Sequence, residues 1–527
     1  SEIGIAVKSA VSNMAMTIGK NTRVTGNLVN FDITNSRLRA VGNMALGGGA
    51  VGIDWTEDFD TKSELTSTIQ TKGIVDDATR AALGLGTSGI VTGPVGVTGT
   101  LFGHHGQIRK ASLSLDLTQA TMAVDIINFR KPPGTAAAAQ VSAQFLNDGS
   151  ARVDNIAVTG PTLTTHGSMS FGADSGLEKL DLSDVRAGPN NDFAISLTDR
   201  PGGFDVSVHG RSADGTGIGR SNSEKPPAAQ QAPQPPPPTR PFHATVRLDH
   251  VVMREGILIS DFSLDASGVG DKPQSIGLSG MLPSKARVTG SVAQAADGRH
   301  VEISSTDAGT LMRGLFGFDS VRGGEMKVDA LLSPQPKANA KPVDYSGTLT
   351  IENFKVLNQP FLSRLFAAGS LVGIADLLRG EGITIDKLDM PFRANGDIVT
   401  VHDAKAEGPA VGISADGYFD RGSTQIDLKG SLAPAYGINS ILGNIPLLGN
   451  LLTSKPGEGI IGMTYHAKGP ADNPDININP LSALAPGIFR RIFEGSAPTA
   501  PSQAESVLTP TIRATPTPSS PPLQVPQ

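Results

Sequence analysis

The chain has 527 residues, too many for one compact core, so several domains or one elongated repeat is expected. Apolar residues make up 38% and aromatic residues 5%, with 62 glycines and 37 prolines, which suits many strands and turns and not a thick globular core. The 44 Lys and Arg against 50 Asp and Glu give a net charge of −6 with both signs scattered, so nothing points to nucleic acid as a partner, and the lack of cysteine excludes a disulfide framework or a cysteine-ligated metal site.

Cysteine-free composition fits a periplasmic life. The sequence opens at Ser1 with no charged and then apolar leader, so a fragment or a processed form is expected.

From the start the pattern is period two, one face apolar and one polar. Val51, Ile53 and Trp55 alternate, as do Ala111, Leu113, Leu115 and Leu117 against Ser112, Ser114, Asp116 and Thr118. The same holds for Phe193, Ile195 and Leu197, and for Phe204, Val206 and Val208. A short helix is expected over 76–83, capped by Asp76 and favoured by Ala78, Ala81 and Ala82. His104 and His105 in GHHG and the Lys131-Pro132-Pro133-Gly134 run read as turns. Residues 1–212 thus form a first β segment.

Residues 213–241 lose the apolar period and read as a Pro-rich disordered connector, with a ligand for a Pro-binding domain as the other use of such sequence. Alternation resumes over 242–495, at Ala244, Val246 and Leu248, at Ile276, Leu278 and Leu282, and at Leu349 and Ile351. It continues at Val411, Ile413, Ala415 and Phe419 and at Ile426 and Leu428. Asp307 caps a predicted helix running to about Leu315. The longest apolar run, Phe361 to Leu378, is broken by Arg364 and Asp376 and falls short of the roughly 20 residues a spanning helix needs.

Ile438, Ile441, Leu442, Ile445, Leu448 and Leu452 recur at spacings of three and four, and Pro446 splits them into two short helices. Ile460, Ile461, Met463 and Tyr465 suggest a strand, and Ile476 and Ile478 another, fenced by Pro474 and Pro480. Arg490 and Arg491 lie beside apolar Ile488, Phe489, Ile492 and Phe493, as the solvated side of a short helix or as a contact for anionic head groups. Residues 496–527, rich in Pro, Ser, Thr and Gln, read as a disordered tail.

Strands that follow one another with few helices between them should pair in order and antiparallel. The expected fold is mainly β: an elongated, curled antiparallel sheet, a repeating β-groove, with a few short helices mostly near the C-terminus. If the sheet curls without closing, its apolar face needs a cover that the chain does not supply, and acyl chains would serve. Burial of apolar surface is worth about 25 cal/mol per Å². An ordinary sandwich core gives the same period.

The strings AYGINSILGNIPLLGNLL and GIIGMTYHAKGPADNPDININPLSALAPGIFRRIF resemble the C-terminal region of the AsmA-like family, the YhdP- and TamB-type envelope proteins of Gram-negative bacteria. Ser305 to Leu332 and Tyr345 to Phe392 are similar to the same region, so the match covers roughly 301–493. The resemblance implies a bridge-like carrier of phospholipid between inner and outer membranes, placed in the periplasm. It also implies an inner-membrane anchor in the full-length protein that is absent from this sequence, and possible envelope protein partners. It makes Val411, Ile413, Ala415, Phe419, Ile426 and Leu428 groove-lining residues and puts the helices of Ile438 to Leu452 at the outer-membrane end.

No enzyme signature stands out. The histidines lack HExxH spacing, there is no G-x-S-x-G or Walker A string, and Gly84 to Gly89 matches G-x-G-x-x-G in the wrong order of elements, as a helix stop. Asp386, Asp389, Asp397 and Asp403 read as solvated strand faces. The expectation is no catalytic residue, no metal and no cofactor. A membrane barrel needs aromatic girdles that one Trp and four Tyr do not supply. The stronger rival is a periplasmic assembly or interaction scaffold that binds strands of outer-membrane proteins by edge pairing, without lipid conduction.

Overall fold

The computed structural model describes residues 4–18, 22–46, 49–59, 63–82, 89–105, 107–174, 176–217, 240–270, 272–296, 298–332, 344–434 and 463–479. The chain is mainly β, and 26 strands join in one large sheet that is not closed into a barrel.

The strands pair in chain order. The first run is β1 (Ala6–Ile18), β2 (Thr22–Thr34), β3 (Arg37–Leu46), β4 (Gly49–Asp58) and β5 (Ser67–Val75). After β6 (Val91–Thr92), β7 (Val95–His104) and β8 (Gln107–Asp116) continue the sheet. The short strands β9 (Thr121–Val124) and β10 (Phe129–Lys131) leave it to pair with β6 in a small sheet of their own. The main sheet resumes with β11 (Ala138–Phe145), β12 (Ala151–Thr159), β13 (Leu163–Phe171), β14 (Leu177–Ala187), β15 (Asn191–Arg200) and β16 (Gly203–Asp214).

Beyond the Pro-rich stretch come β17 (Pro241–Val252), β18 (Leu258–Val269), β19 (Lys272–Met281), β20 (Arg287–Ala295) and β21 (Gly298–Ser305). Then follow β22 (Val321–Leu332), β23 (Asp344–Val356), β24 (Ile383–Asn395), β25 (Ile398–Glu407), β26 (Val411–Asp420), β27 (Gln425–Pro434), β28 (Met463–Pro470) and β29 (Asp475–Asn479). At about 4.8 Å per strand, the path from β1 to β29 is on the order of 120 Å.

Every pairing in the main sheet is antiparallel except one: β16 and β17 run parallel, with Phe204 opposite Phe242 and Val208 opposite Val246. Sequential antiparallel pairing was the expectation, and the parallel pair has a plain cause. Residues 215–240 leave one margin of the sheet and return at the other, as any parallel connection must. The segments before and after the connector therefore share one sheet.

The two margins differ in kind. The connections that carry the helices all leave from the same margin: α1 (Asp77–Ala82) after β5, α2 (Ala308–Phe316) after β21, and α3 (Pro360–Ala368) with α4 (Val372–Arg379) after β23. The β6–β9–β10 sheet lies there too. At the opposite margin the described connections are turns. The sequence places the two cap-defined helices well. Asp76 Oδ1 accepts from the Thr79 N–H at 2.8 Å, and Asp307 Oδ1 accepts from the Thr310 N–H at 3.0 Å. The described helices lie between residues 77 and 379, the helices expected at Ile438 to Leu452 fall outside the described residues, and Phe361 to Leu378 divides into α3 and α4 at Gly369.

β-Bulges recur nearer the helical margin, for example between Gly26 and Val29, Leu182 and Val185, Ser260 and Ser263, and Val401 and Ala404. Asn13, Asp261, Asn353 and Asp403 adopt positive φ on that side, a conformation Asn and Asp tolerate. A bulge bends its strand, so the row creases the sheet. Along the crease the helical margin is packed tight: Leu311, Leu365, Phe366, Ala375 and Leu378 are at most 2% exposed. α3 closes on the last strands, with Gly369 against Met463 and Ile478 and the Phe361 ring edge-on to Tyr465 at 6.3 Å.

A candidate ligand groove with one apolar rung per strand

The strand registers join into an unbroken ladder across the whole sheet. Ser9, Phe31, Ala40, Trp55, Ile69 and Leu101 face one another in succession from β1 to β7. Ala111, Ala143, Val153, Met169, Leu180, Leu197 and Val206 carry the line to β16. Ala244 takes it across the parallel pair, and Ala266, Ile276, Val292, Val301, Ala330 and Gly347 follow. Phe392, Val401, Gly417, Leu428, Ala467 and Ile476 bring it to β29. Ser9, on the edge strand, is the one polar rung.

No large rung on this line is either fully buried or fully exposed. The large rungs, from Phe31 and Trp55 to Leu428 and Ile476, are all half-buried, while small ones such as Ala40, Ala111, Ala330, Gly417 and Ala467 are buried. A core of two packed layers would bury the large residues outright, as it does Leu365 and Phe366. Here each large rung is shielded only in part.

Residues one step along each strand point the other way and carry charge. Arg39 grips Asp54 through Nε at 2.9 Å and Nη2 at 2.6 Å, and Arg247 holds Asp265 through Nη2 at 2.9 Å. The hydrogen bond from Arg39 keeps the Asp54 carboxyl below its ordinary range. Asp389 and Asp403 sit on this face with Lys387 and Lys405, each 3.7 Å away. Half-exposed pairs of this kind contribute at most about 1 kcal/mol each. Their effect is to make the face opposite the ladder rich in paired charge.

Among the buried polar groups, Lys131, Tyr465 and Glu57 each have hydrogen-bond partners. Lys131, with no exposed surface, donates to the carbonyls of Ala120 at 2.7 Å, Pro132 at 3.2 Å and Thr118 at 3.3 Å. Burial pulls its pKa down. Tyr465 Oη donates to the Ser414 carbonyl at 2.8 Å, and burial pushes its pKa up.

Glu57, 6% exposed, accepts hydrogen bonds from Ser67, from Thr66 Oγ1 at 2.6 Å and from Trp55 Nε1 at 3.4 Å. Burial pushes the Glu57 carboxyl up, but these bonds and the nearby His105 outweigh it and leave the pKa below its ordinary value. The contribution of Glu57 to stability is therefore full above the unfolded value of about 4.5 and is lost as pH falls through the lower folded value. Glu57→Gln should flatten the acid limb of a stability profile below about pH 4.5 and leave its shape above that pH unchanged, which urea unfolding across the pH range would check.

All six residues named from the sequence as groove lining lie on the face of the ladder. Leu428 is itself a rung, and Phe419 faces Ile426 one step nearer the turn margin. Ile413, Ala415, Phe419 and Leu428 are half-buried, whereas Val411 at 0% and Ile426 at 7% exposure are buried in the core. Ile438, Ile441, Leu442, Ile445, Leu448 and Leu452 fall outside the described residues, as do Ile460, Ile461, Arg490 and Arg491, the residues 83–88 that hold most of the G-x-G-x-x-G run, the central part of the connector and the tail. Rungs such as Ile69, Leu101, Met169, Leu180 and Phe392 were not singled out from the sequence. Their neighbours alternate, but only the register shows that they line up.

Among the described residues no group of His, Asp and Glu is arranged to hold a metal ion, and no helix is long and apolar enough to cross a membrane. His104 and His105 have ring centroids 4.1 Å apart at the β7–β8 turn, where His105 lies 3.7 Å from Glu57. No family model matches the chain, no curated protein matches it, and no solved structure matches it. The AsmA-like resemblance stands on the quoted residues alone.

Proposed function

We propose that this chain is a bridge-like lipid carrier that moves phospholipid between the inner and outer membranes along its apolar β-groove. The observation that supports this reading is the ladder itself: an apolar line on every strand of the main sheet but the first, with its large rungs half-buried and no charged rung. An acyl chain lying across the rungs removes their remaining surface from water at about 25 cal/mol per Å². The charged head group stays solvated at the turn margin, where among the described residues no helix covers it, and so avoids the cost of burial. Because the rungs repeat every ~4.8 Å, a lipid can advance strand by strand. In this reading the protein works in the periplasm, it has phospholipid and the two membranes as partners, and it needs neither catalytic residue nor cofactor.

Transfer of a fluorescent phospholipid between two vesicle populations tests the reading. The chain should accelerate transfer in proportion to its concentration. Transfer no faster than with vesicles alone, by a chain whose circular dichroism shows the intact sheet, would remove the proposal.

A further inference from the structure

Residues two apart on a strand share a face, so the ladder has a neighbouring row one step nearer the turn margin. From β20 to β23 that row is Gln294, Arg299, Leu332 and Tyr345, each opposite the next in register, beside the rungs Val292, Val301, Ala330 and Gly347. Elsewhere the row has apolar members such as Phe204, Phe242, Val399 and Phe419. Two of its acidic members are already matched: Glu57 by the hydroxyls of Thr66 and Ser67, and Asp199 by Arg240, whose Nη1 donates to it at 2.8 Å.

Arg299 and Tyr345 are not matched in this way. Arg299, half-buried, donates through Nη1 to the Pro273 carbonyl at 3.1 Å, and among the described residues no carboxylate pairs with it. Tyr345 is half-buried with its ring edge-on to the rung Phe392, centroids 6.2 Å apart, and its hydroxyl has no hydrogen-bond partner among the described residues. The two residues stand two strand spacings apart, about 10 Å, a span that two long side chains can close over Leu332. The rungs beside that span, Ala330 and Gly347, are the smallest adjacent pair on the ladder.

A guanidinium carries five N–H donors in a planar fork and no acceptor, and a phenol adds a donor of its own. With one arm of the fork held by Pro273, the rest of it fits two oxygens of a phosphate, and the Tyr345 hydroxyl can donate to a third. The apolar rungs next to this pair of donors fit the acyl part of the same molecule. We propose that Arg299 and Tyr345 form a head-group station, which binds the phosphate of a phospholipid whose acyl chains lie on the neighbouring rungs. This rests on the lipid-carrier reading and adds what the ladder alone does not supply, a preference for lipids that carry a phosphate. A diacylglycerol gains the rungs and not the station.

Binding of two fluorescent lipids with the same acyl chains, phosphatidylglycerol and diacylglycerol, tests the station on the full chain. The unaltered chain should hold phosphatidylglycerol about tenfold more tightly or better, the scale of a charge-assisted bidentate contact. Arg299→Gln should remove that preference and leave diacylglycerol binding unchanged, which also shows that the variant is folded. Arg299→Lys should restore part of it, and Tyr345→Phe should lower it by a smaller factor. Arg247→Gln, on the opposite face, should alter neither affinity. Glycerol 3-phosphate, which has the phosphate and no acyl chain, should not compete at equal concentration; competition as strong as that of the lipid would assign the site to a free phosphate ester and overturn the proposal. Equal affinity of the unaltered chain for the two lipids, or equal loss of both in Arg299→Gln, would overturn the station and leave the groove standing. Binding of neither lipid would remove the lipid-carrier reading and the station with it.

Discussion

Carrying Leu197→Asp and Ile276→Asp together should reduce phospholipid transfer by about a hundredfold or more. These rungs lie on either side of the parallel pair, so a lipid crossing the middle of the groove must pass both. A carboxylate left without a partner beneath an acyl chain costs several kcal/mol, and about 1.4 kcal/mol is already tenfold in rate. The sheet itself should lose only about 1–3 kcal/mol per site, because both positions are half-buried and keep access to water. The matched control is Ser196→Asp with Ser275→Asp. These are sequence neighbours of the same rungs on the polar face, and they should leave transfer unchanged. Equal loss in both double variants would place the defect in folding and not in the groove.

Phe366→Ala should cost about 3–5 kcal/mol, the range for emptying a fully buried aromatic position. The side chain is fully buried in α3, which packs on α4, the helix pair that closes the helical margin over β24 and β29. The loss should be local. Hydrogen exchange should rise in α3, α4, β28 and β29, while β2 to β16 keep their protection, because the sheet is a line of nearest-neighbour pairs and the first four strands hold a separate cluster around Val29 and Ala40. Uniform loss of protection from β2 onward would show instead that the sheet melts as one unit.

The strands were legible because period two survives in the sequence. Val51, Ile53 and Trp55 mark β4, Phe204 to Val208 mark β16, and Ile476 and Ile478 mark β29. Asp76 and Asp307 marked helix starts because a cap is a local interaction. Three features were not legible, each because it depends on neighbours distant in sequence. The parallel pairing of β16 with β17 is fixed by which margin the chain returns to after the connector. The bulges that crease the sheet show only as isolated residues such as Asn353 and Asp403, which look like ordinary polar strand positions. The ladder needs register: Met169 and Leu180 become one line with Leu197 only when β13, β14 and β15 are aligned.

The candidate lining was legible in its face but not in its depth. Val411 and Ile413 alternate alike, yet the first is in the core and the second is half-buried, because the helical margin covers one end of β26 and not its middle.

Native mass spectrometry with lipid extraction, on the chain expressed in the periplasm, tests the central claim most directly. The account predicts several phospholipids bound per chain, and their loss when Ile413, Phe419 and Leu428 are changed to Asp. A folded chain that carries no lipid would contradict it, and would mean that protein, not acyl chains, covers the apolar face.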